Sequence, residues 1–293
     1  MTTTKTGAQL RDWAPFVSIL YMNKENLEFN KRSVEAFNFI KENVMGDALL
    51  MDNLIDIGTL GSINDNEGVK GWSDLDILMV LKSDELGNID LDVIQRLREI
   101  HNECVTIYSD LDVSLLPHTM YDFEKYVAYE YLRNYQFATI YYSKETVSFR
   151  DRLQKIIDDR GVSLEVQKRY AVYRARHLRF NLIRAVASWR GNNKPVAKLV
   201  IDRLIQSGIY ITGFYGEYSQ GKVDRLNMIK RLIDDQEIIN IFERATNLRF
   251  KWSEINESEC KEIIKNGLSD LYKVENFLIS KYPEAIPEEY MNI

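Results

Sequence analysis

Three aspartates and a Gly-Ser step are the residues of this chain whose types and spacing suit chemistry. Asp74 and Asp76 flank Leu75, Asp112 follows in a later apolar segment, and Gly61-Ser62 precedes Asp74 by an eleven-residue gap. Side chains alternate along an extended backbone, so Asp-x-Asp projects both carboxylates to one side. A third acid on a neighbouring strand completes a triangle. Three converging carboxylates repel one another unless they hold cations, and oxygen-only ligands favour Mg²⁺. Two such ions, roughly 3.5–4 Å apart, stabilise the attacking and leaving oxygens of an in-line displacement at phosphorus. Gly61 removes a side chain so that backbone can approach a phosphate, and the N–H groups and Ser62 hydroxyl of that turn can donate to it. The reaction class implied is nucleotidyl transfer, with attack on the α-phosphate of a nucleoside triphosphate and departure of pyrophosphate.

Short apolar segments must position these groups. Leu54–Leu60 is β-branched and apolar and stops at Gly61, which predicts a strand. Asp74–Leu81 predicts a second strand, and Leu111–Leu116 a third that Pro117 terminates. Residues 137–142 (FATIYY) are a candidate fourth. Between the first two, residues 63–73 (INDNEGVKGWS) are rich in turn formers and predict an exposed loop. Helical spacing marks residues 31–45 and 90–103. Beyond these, residues 164–190, 194–207, 222–235, 237–248 and 257–281 all read as helices, and Gly208, Gly213, Gly216 and Gly221 crowd the longest break between them.

Composition narrows the class. The 293 residues are 45% hydrophobic, with 12 Phe, 17 Tyr and 4 Trp, enough for a sizeable core. Cys104 and Cys260 are too few for a disulfide framework, and with only His101, His118 and His177 beside them a structural zinc site is not expected. The start, MTTTKTGAQLRDWAPF, has no apolar leader, and no run of 18 apolar residues occurs. The expectation is a cytoplasmic protein with no membrane partner. Net charge is −6, yet residues 1–143 hold 12 Lys/Arg against 23 Asp/Glu, and residues 144–293 hold 26 against 21. Opposite signs suggest two domains, expected at 1–145 and 146–293. The fold class expected is α+β: a small mixed sheet with helices, followed by a helical bundle.

The segment GTLGSINDNEGVKGWSDLDILMVL, with SDLDVSLLP after it, resembles the signature of the DNA polymerase beta-like nucleotidyltransferase superfamily. That signature is an apolar strand, Gly-Ser, about a dozen residues, an Asp-hydrophobic-Asp and a later acid on the next strand. The resemblance covers roughly residues 50–117, and within the superfamily it is most similar to the bacterial antibiotic nucleotidyltransferases, which also carry a helical domain after the catalytic one. It implies a nucleotidyltransferase fold for the first domain. It implies further that Gly61 and Ser62 contact the triphosphate of an NTP, ATP foremost. Asp74 and Asp76 would bind Mg²⁺, and Asp112 would bind metal or take the acceptor's proton. A lysine from the helical domain would also reach the triphosphate, for which Lys194 and Lys198 are the candidates.

The acceptor implied is a hydroxyl of a small molecule, with an aminoglycoside-like antibiotic foremost, because an acidic domain attracts a polycation. A second reading is transfer to nucleic acid or to nucleotides. It draws on residues 165–203, where Lys168, Arg169, Arg174, Arg176, Arg179, Arg184, Arg190, Lys194, Lys198 and Arg203 face only Glu165 and Asp202. A third is a non-catalytic antitoxin or regulator with this fold, against which the set of three acids speaks. His177 reads as a helix-surface or core histidine, and both cysteines as structural thiols. The aromatic, glycine-punctuated run from Gly208 to Tyr218 reads as an acceptor-pocket lining or as helix packing.

Overall fold

The computed structural model describes residues 23–219 and 221–283. The chain divides between Gly161 and Val162 into two compact units. The first is α+β. Its described elements are α1 (Lys24–Gly46), α2 (Ala48–Asn53), β1 (Leu54–Leu60), a 3₁₀ turn (Gly61–Ile63), β2 (Leu75–Leu81) and α3 (Leu91–Ile107). They continue with β3 (Val113–Thr119), α4 (Met120–Lys125), α5 (Tyr129–Tyr135), β4 (Thr139–Ser143) and α6 (Phe149–Arg160).

The four strands form one mixed sheet in the order β3-β2-β1-β4. β1 pairs antiparallel with β2 and β4, and β2 pairs parallel with β3. β2 is central, which explains its unbroken apolar run: a strand covered on both faces has no polar side to show. Leu75, Ile77, Met79 and Leu81 join a core with Phe37 and Ile40 of α1 and Val93, Leu97 and Ile100 of α3. Leu78 and Val80 face the other way, onto Phe123 of α4, Leu132 of α5, and Phe149 and Leu153 of α6.

The structure corrects four local expectations. The first helix begins at Lys24 rather than at residue 31, because the Asn23 side chain caps it by accepting from the Asn26 amide at 2.9 Å. Pro117 does not end β3, which runs through it to Thr119. β3 is an edge strand, where a missing backbone N–H need not cost a ladder bond. The 63–73 segment is not an exposed loop, since Glu67, Gly68, Val69 and Ser73 are buried. α1 supplies partners for two backbone positions of this segment, Gly68 through Asn30 and Lys70 through Asn26.

The second unit holds the fourth difference. Its helices are α7 (Leu164–Ser188), α8 (Lys194–Phe214), α9 (Lys222–Leu232), α10 (Gln236–Phe250) and α11 (Glu257–Lys281). α8 lies at the centre of this bundle and runs through Gly208 and Gly213 instead of stopping at residue 207. A Cβ at Gly208 would lie 3.1 Å from Arg225 Cδ, 3.2 Å from Ile229 Cδ1 and 3.3 Å from Phe242 Cε1. Close helix packing, not chain reversal, is what this glycine serves. Tyr210, Ile211 and Phe214 are buried in the same helix, so the aromatic run packs the bundle. Among the described residues no helix is long and apolar enough to cross a membrane.

Candidate functional site

The site forms where β1 ends and β2 and β3 begin. Antiparallel pairing sets Leu60 opposite Asp76, so Gly61 emerges beside the Asp-x-Asp segment. Gly61 has φ +73°, a left-handed backbone that favours glycine. A Cβ there would stand 3.3 Å from Asp76 Oδ2. The loop then closes on itself: the Asn64 amide donates to Gly61 O at 3.3 Å and the Glu67 amide to Ser62 O at 2.7 Å. Ser62 is buried, at 4% exposure, and Gly61 is half-buried.

The acids occupy adjacent strand starts. Asp74 is exposed, one residue before β2, and Asp76 is half-buried within it. The Leu75 amide donates to Asp112 O at 2.7 Å, and Asp76 pairs with Ser114. Parallel register with period-two alternation therefore puts Asp74, Asp76 and Asp112 on one face of the sheet, opposite Leu75 and Val113. Asp112, like Asp74, is exposed. Among the described residues no three His, Cys, Asp or Glu side chains are grouped so that they could hold a metal ion. What the backbone brings together is a set of oxygen donors on two neighbouring strand starts beside a side-chain-free turn. Carboxylate oxygens are the donor type that hard divalent cations take, but these three carboxylates are not grouped as a preformed site.

Several residues that the sequence left unmarked surround this end of the sheet. Asn64 ties the end of β1 toward β4, donating to Thr59 O at 2.8 Å and to Phe137 O at 3.4 Å, and its Oδ1 accepts from the Thr59 hydroxyl. Tyr135 of α5 packs edge-on against Phe123 and His118, and its hydroxyl lies 2.8 Å from His118 Nε2. Burial pushes the Tyr135 phenol up to about 12, and the charge of Asp76 adds to the shift. Tyr135 is therefore a neutral group within electrostatic reach of Asp76. Its only sequence signal was one more tyrosine in a tyrosine-rich stretch.

Farther up β1, Asp56 is fully buried and paired with Arg152 of α6 at 2.5 Å. This ion pair anchors α6 to the sheet face that also carries the acids.

Lys194 and Lys198 lie in the second unit, on the first turns of α8. Lys194 Nζ sits over the Trp252 ring at 5.2 Å. The basic segment of α7 has partners within its own unit. Arg179 and Arg176 both pair with the buried Glu275, and Arg169 pairs with Glu165 and donates to the Tyr282 hydroxyl. His177 stacks on Tyr173 along α7. Cys104 and Cys260 are buried free thiols, and burial pushes Cys104 up to about 11. No known protein family matches the chain, and no curated protein sequence matches it at a significant level.

Proposed function

We propose that this protein is a nucleotidyltransferase that moves a nucleoside monophosphate, AMP from ATP foremost, onto a hydroxyl of a small cationic acceptor of the aminoglycoside type. One observation carries the reading. Gly61, with its left-handed backbone, faces Asp76 at a strand end where Asp74 and Asp112 share the same sheet face. A turn without a side chain next to acids is an arrangement that suits a polyphosphate and the cations that accompany it.

In this reading Asp74, Asp76 and Asp112, which do not form a ready-made metal site by themselves, would hold Mg²⁺ jointly with triphosphate oxygens, and the ion when bound offsets phosphate charge and polarises the α-phosphorus. The Gly61-Ser62 turn would seat the triphosphate. Asp112, exposed beside β3, would accept the proton of the acceptor hydroxyl. The excess of acids in residues 1–143 favours a cationic acceptor over a polyanionic one. Transfer to nucleic acid has less support, because Arg169, Arg176 and Arg179 of the basic segment already have acidic partners.

The test is incubation of the full chain with Mg²⁺, each NTP in turn, and a panel of aminoglycosides, lincosamides and tRNA. The reading requires pyrophosphate release together with an NMP mass increment on a cationic antibiotic. Label on tRNA or on a free nucleotide alone would move the assignment to that acceptor class. Nucleotide binding without transfer to any acceptor would support the non-catalytic reading instead.

A further inference from the structure

We propose that Asn30, assisted by Asn26, is a positioning residue of the candidate site: it clamps the loop joining Ser62 to Asp74 and thereby sets nucleotide affinity. The inference rests on the nucleotidyl-transfer reading for its ligand, while the clamp itself rests on geometry. Asn26 and Asn30 are four residues apart on α1, so they share one helix face, and that face is buried. An asparagine inside a helix is poorly placed by propensity, and a buried amide without partners is costly. Both residues are therefore expected to serve partners outside the helix.

They do. Asn30 Nδ2 donates to Gly68 O at 3.0 Å, and Asn30 Oδ1 accepts from the Gly68 amide at 3.1 Å. One side-chain amide thus engages both backbone groups of a single residue, as a paired strand would. Asn30 Nδ2 also donates to Asn26 O at 2.6 Å, which fixes the orientation of the amide plane. Two residues further along, the Lys70 amide donates to Asn26 Oδ1 at 3.0 Å. A Cβ at Gly68 would lie 2.5 Å from Asn30 Oδ1, so only glycine allows this approach.

The clamp stands between the two halves of the site. On one side, the Glu67 amide closes back onto Ser62 O at 2.7 Å. On the other, the Ser73 amide donates to Val69 O at 2.8 Å and Ser73 Oγ accepts from the Val69 amide at 3.0 Å, a closed turn that delivers the next residue, Asp74. Releasing Gly68 and Lys70 would let Ser62 and Asp74 drift apart without touching either one. Ground-state nucleotide binding should suffer first, because binding depends on the phosphate turn and the acids being in register.

The test compares the full chain with Asn30→Leu, Asn30→Asp and Asn26→Ala. Asn30→Leu removes both bonds to Gly68 at similar volume, Asn30→Asp keeps the acceptor for the Gly68 amide, and Asn26→Ala removes the Lys70 bond while keeping the Asn30–Gly68 pair, and serves if Asn30→Leu does not fold. Hydrogen exchange of peptides spanning residues 64–73 reads the clamp in the absence of ligand, and calorimetry with Mg-ATP reads affinity. The expected result is exchange at least tenfold faster and ATP affinity at least tenfold weaker in Asn30→Leu, partly restored in Asn30→Asp, with exchange in β2 unchanged. Exchange and affinity within twofold of wild type in a folded variant would overturn the proposal, as would faster exchange with unchanged affinity. A wild-type protein that binds no nucleotide contradicts the nucleotidyl-transfer reading and removes the affinity half of the inference; exchange at residues 64–73 then decides the clamp alone.

Discussion

Gly61 faces the carboxylate of Asp76 across the paired ends of β1 and β2, with room for a Cβ only at 3.3 Å from Oδ2 and with a backbone φ of +73°. Two requirements meet at that position. The chain needs a residue tolerant of a left-handed conformation, and the acid needs open space in front of it. Gly61→Val meets neither. A β-branched residue at positive φ costs on the order of 1–3 kcal/mol. We expect Gly61→Val to weaken Mg-ATP binding at least tenfold while changing acceptor binding little, read by calorimetry with each ligand separately. Unchanged ATP affinity would mean that the phosphate lies elsewhere.

The Asp56–Arg152 pair should be a stability determinant rather than a catalytic one. Asp56 Oδ1 and Arg152 Nε are buried without hydrogen-bond partners, so the pair is incompletely compensated. Removing one member leaves a buried charge, at a cost of about 3–5 kcal/mol, whereas replacing both by apolar residues is often neutral. Urea unfolding should therefore show Arg152→Ala strongly destabilised and Asp56→Leu/Arg152→Met much less so. Equal destabilisation of the single and double variants would contradict this.

His118 gives the first unit a pH dependence. Burial holds its imidazole below the usual histidine range, and the nearby Asp122 opposes that shift. As pH falls through about 6.5, the unfolded chain takes up the proton before the folded one does, so stability declines. The loss begins near 6.5 and stops growing below the depressed folded value. Urea midpoints at pH 7.5 and 5.0 should differ more for wild type than for His118→Phe. The aromatic replacement keeps the contact with Phe123, although it gives up the bond to the Tyr135 hydroxyl.

In the second unit, a Cβ at Gly267 of α11 would lie 2.0 Å from Val200 Cγ1 of α8. Alanine is the better helix former by about 1 kcal/mol, but overpacking of this severity typically costs 1–3 kcal/mol. Gly267→Ala should lower the melting temperature. Adding Val200→Ala, which removes the opposing methyl, should recover part of the loss. A melting temperature raised by Gly267→Ala alone would show that the two helices separate freely.

Much of this architecture was legible in the sequence, and the exceptions share a physical cause. β1, β2 and the long helices of the second half announce themselves because their apolar periods match their burial. The Gly-Ser step and the Asp-x-Asp stood out because residue type and spacing both pointed to the same chemistry. Asn26 and Asn30 did not stand out, since a polar residue on a helix reads as solvent-facing unless its partner is known. Their partners lie some 40 residues away in a loop whose turn formers suggested exposure. Pro117 and Gly208 misled for a related reason: their local preference for breaking an element was overridden by an edge position in one case and by close helix packing in the other. Tyr135 and His118 meet only through the fold, which no local pattern encodes.

Nucleotidyl transfer by this chain would depend most directly on Asp76. Wild type and Asp76→Asn, both shown folded by circular dichroism, should be compared for pyrophosphate release and acceptor mass in the presence of Mg²⁺, ATP and an aminoglycoside panel. An amide in place of the carboxylate keeps the shape but removes the charge that would hold Mg²⁺. The predicted result is an AMP-bearing acceptor with stoichiometric pyrophosphate from wild type, and at least a hundredfold loss in Asp76→Asn. Turnover of the variant within tenfold of wild type, or a folded wild type that releases no pyrophosphate from any NTP with any acceptor in the panel, would contradict it.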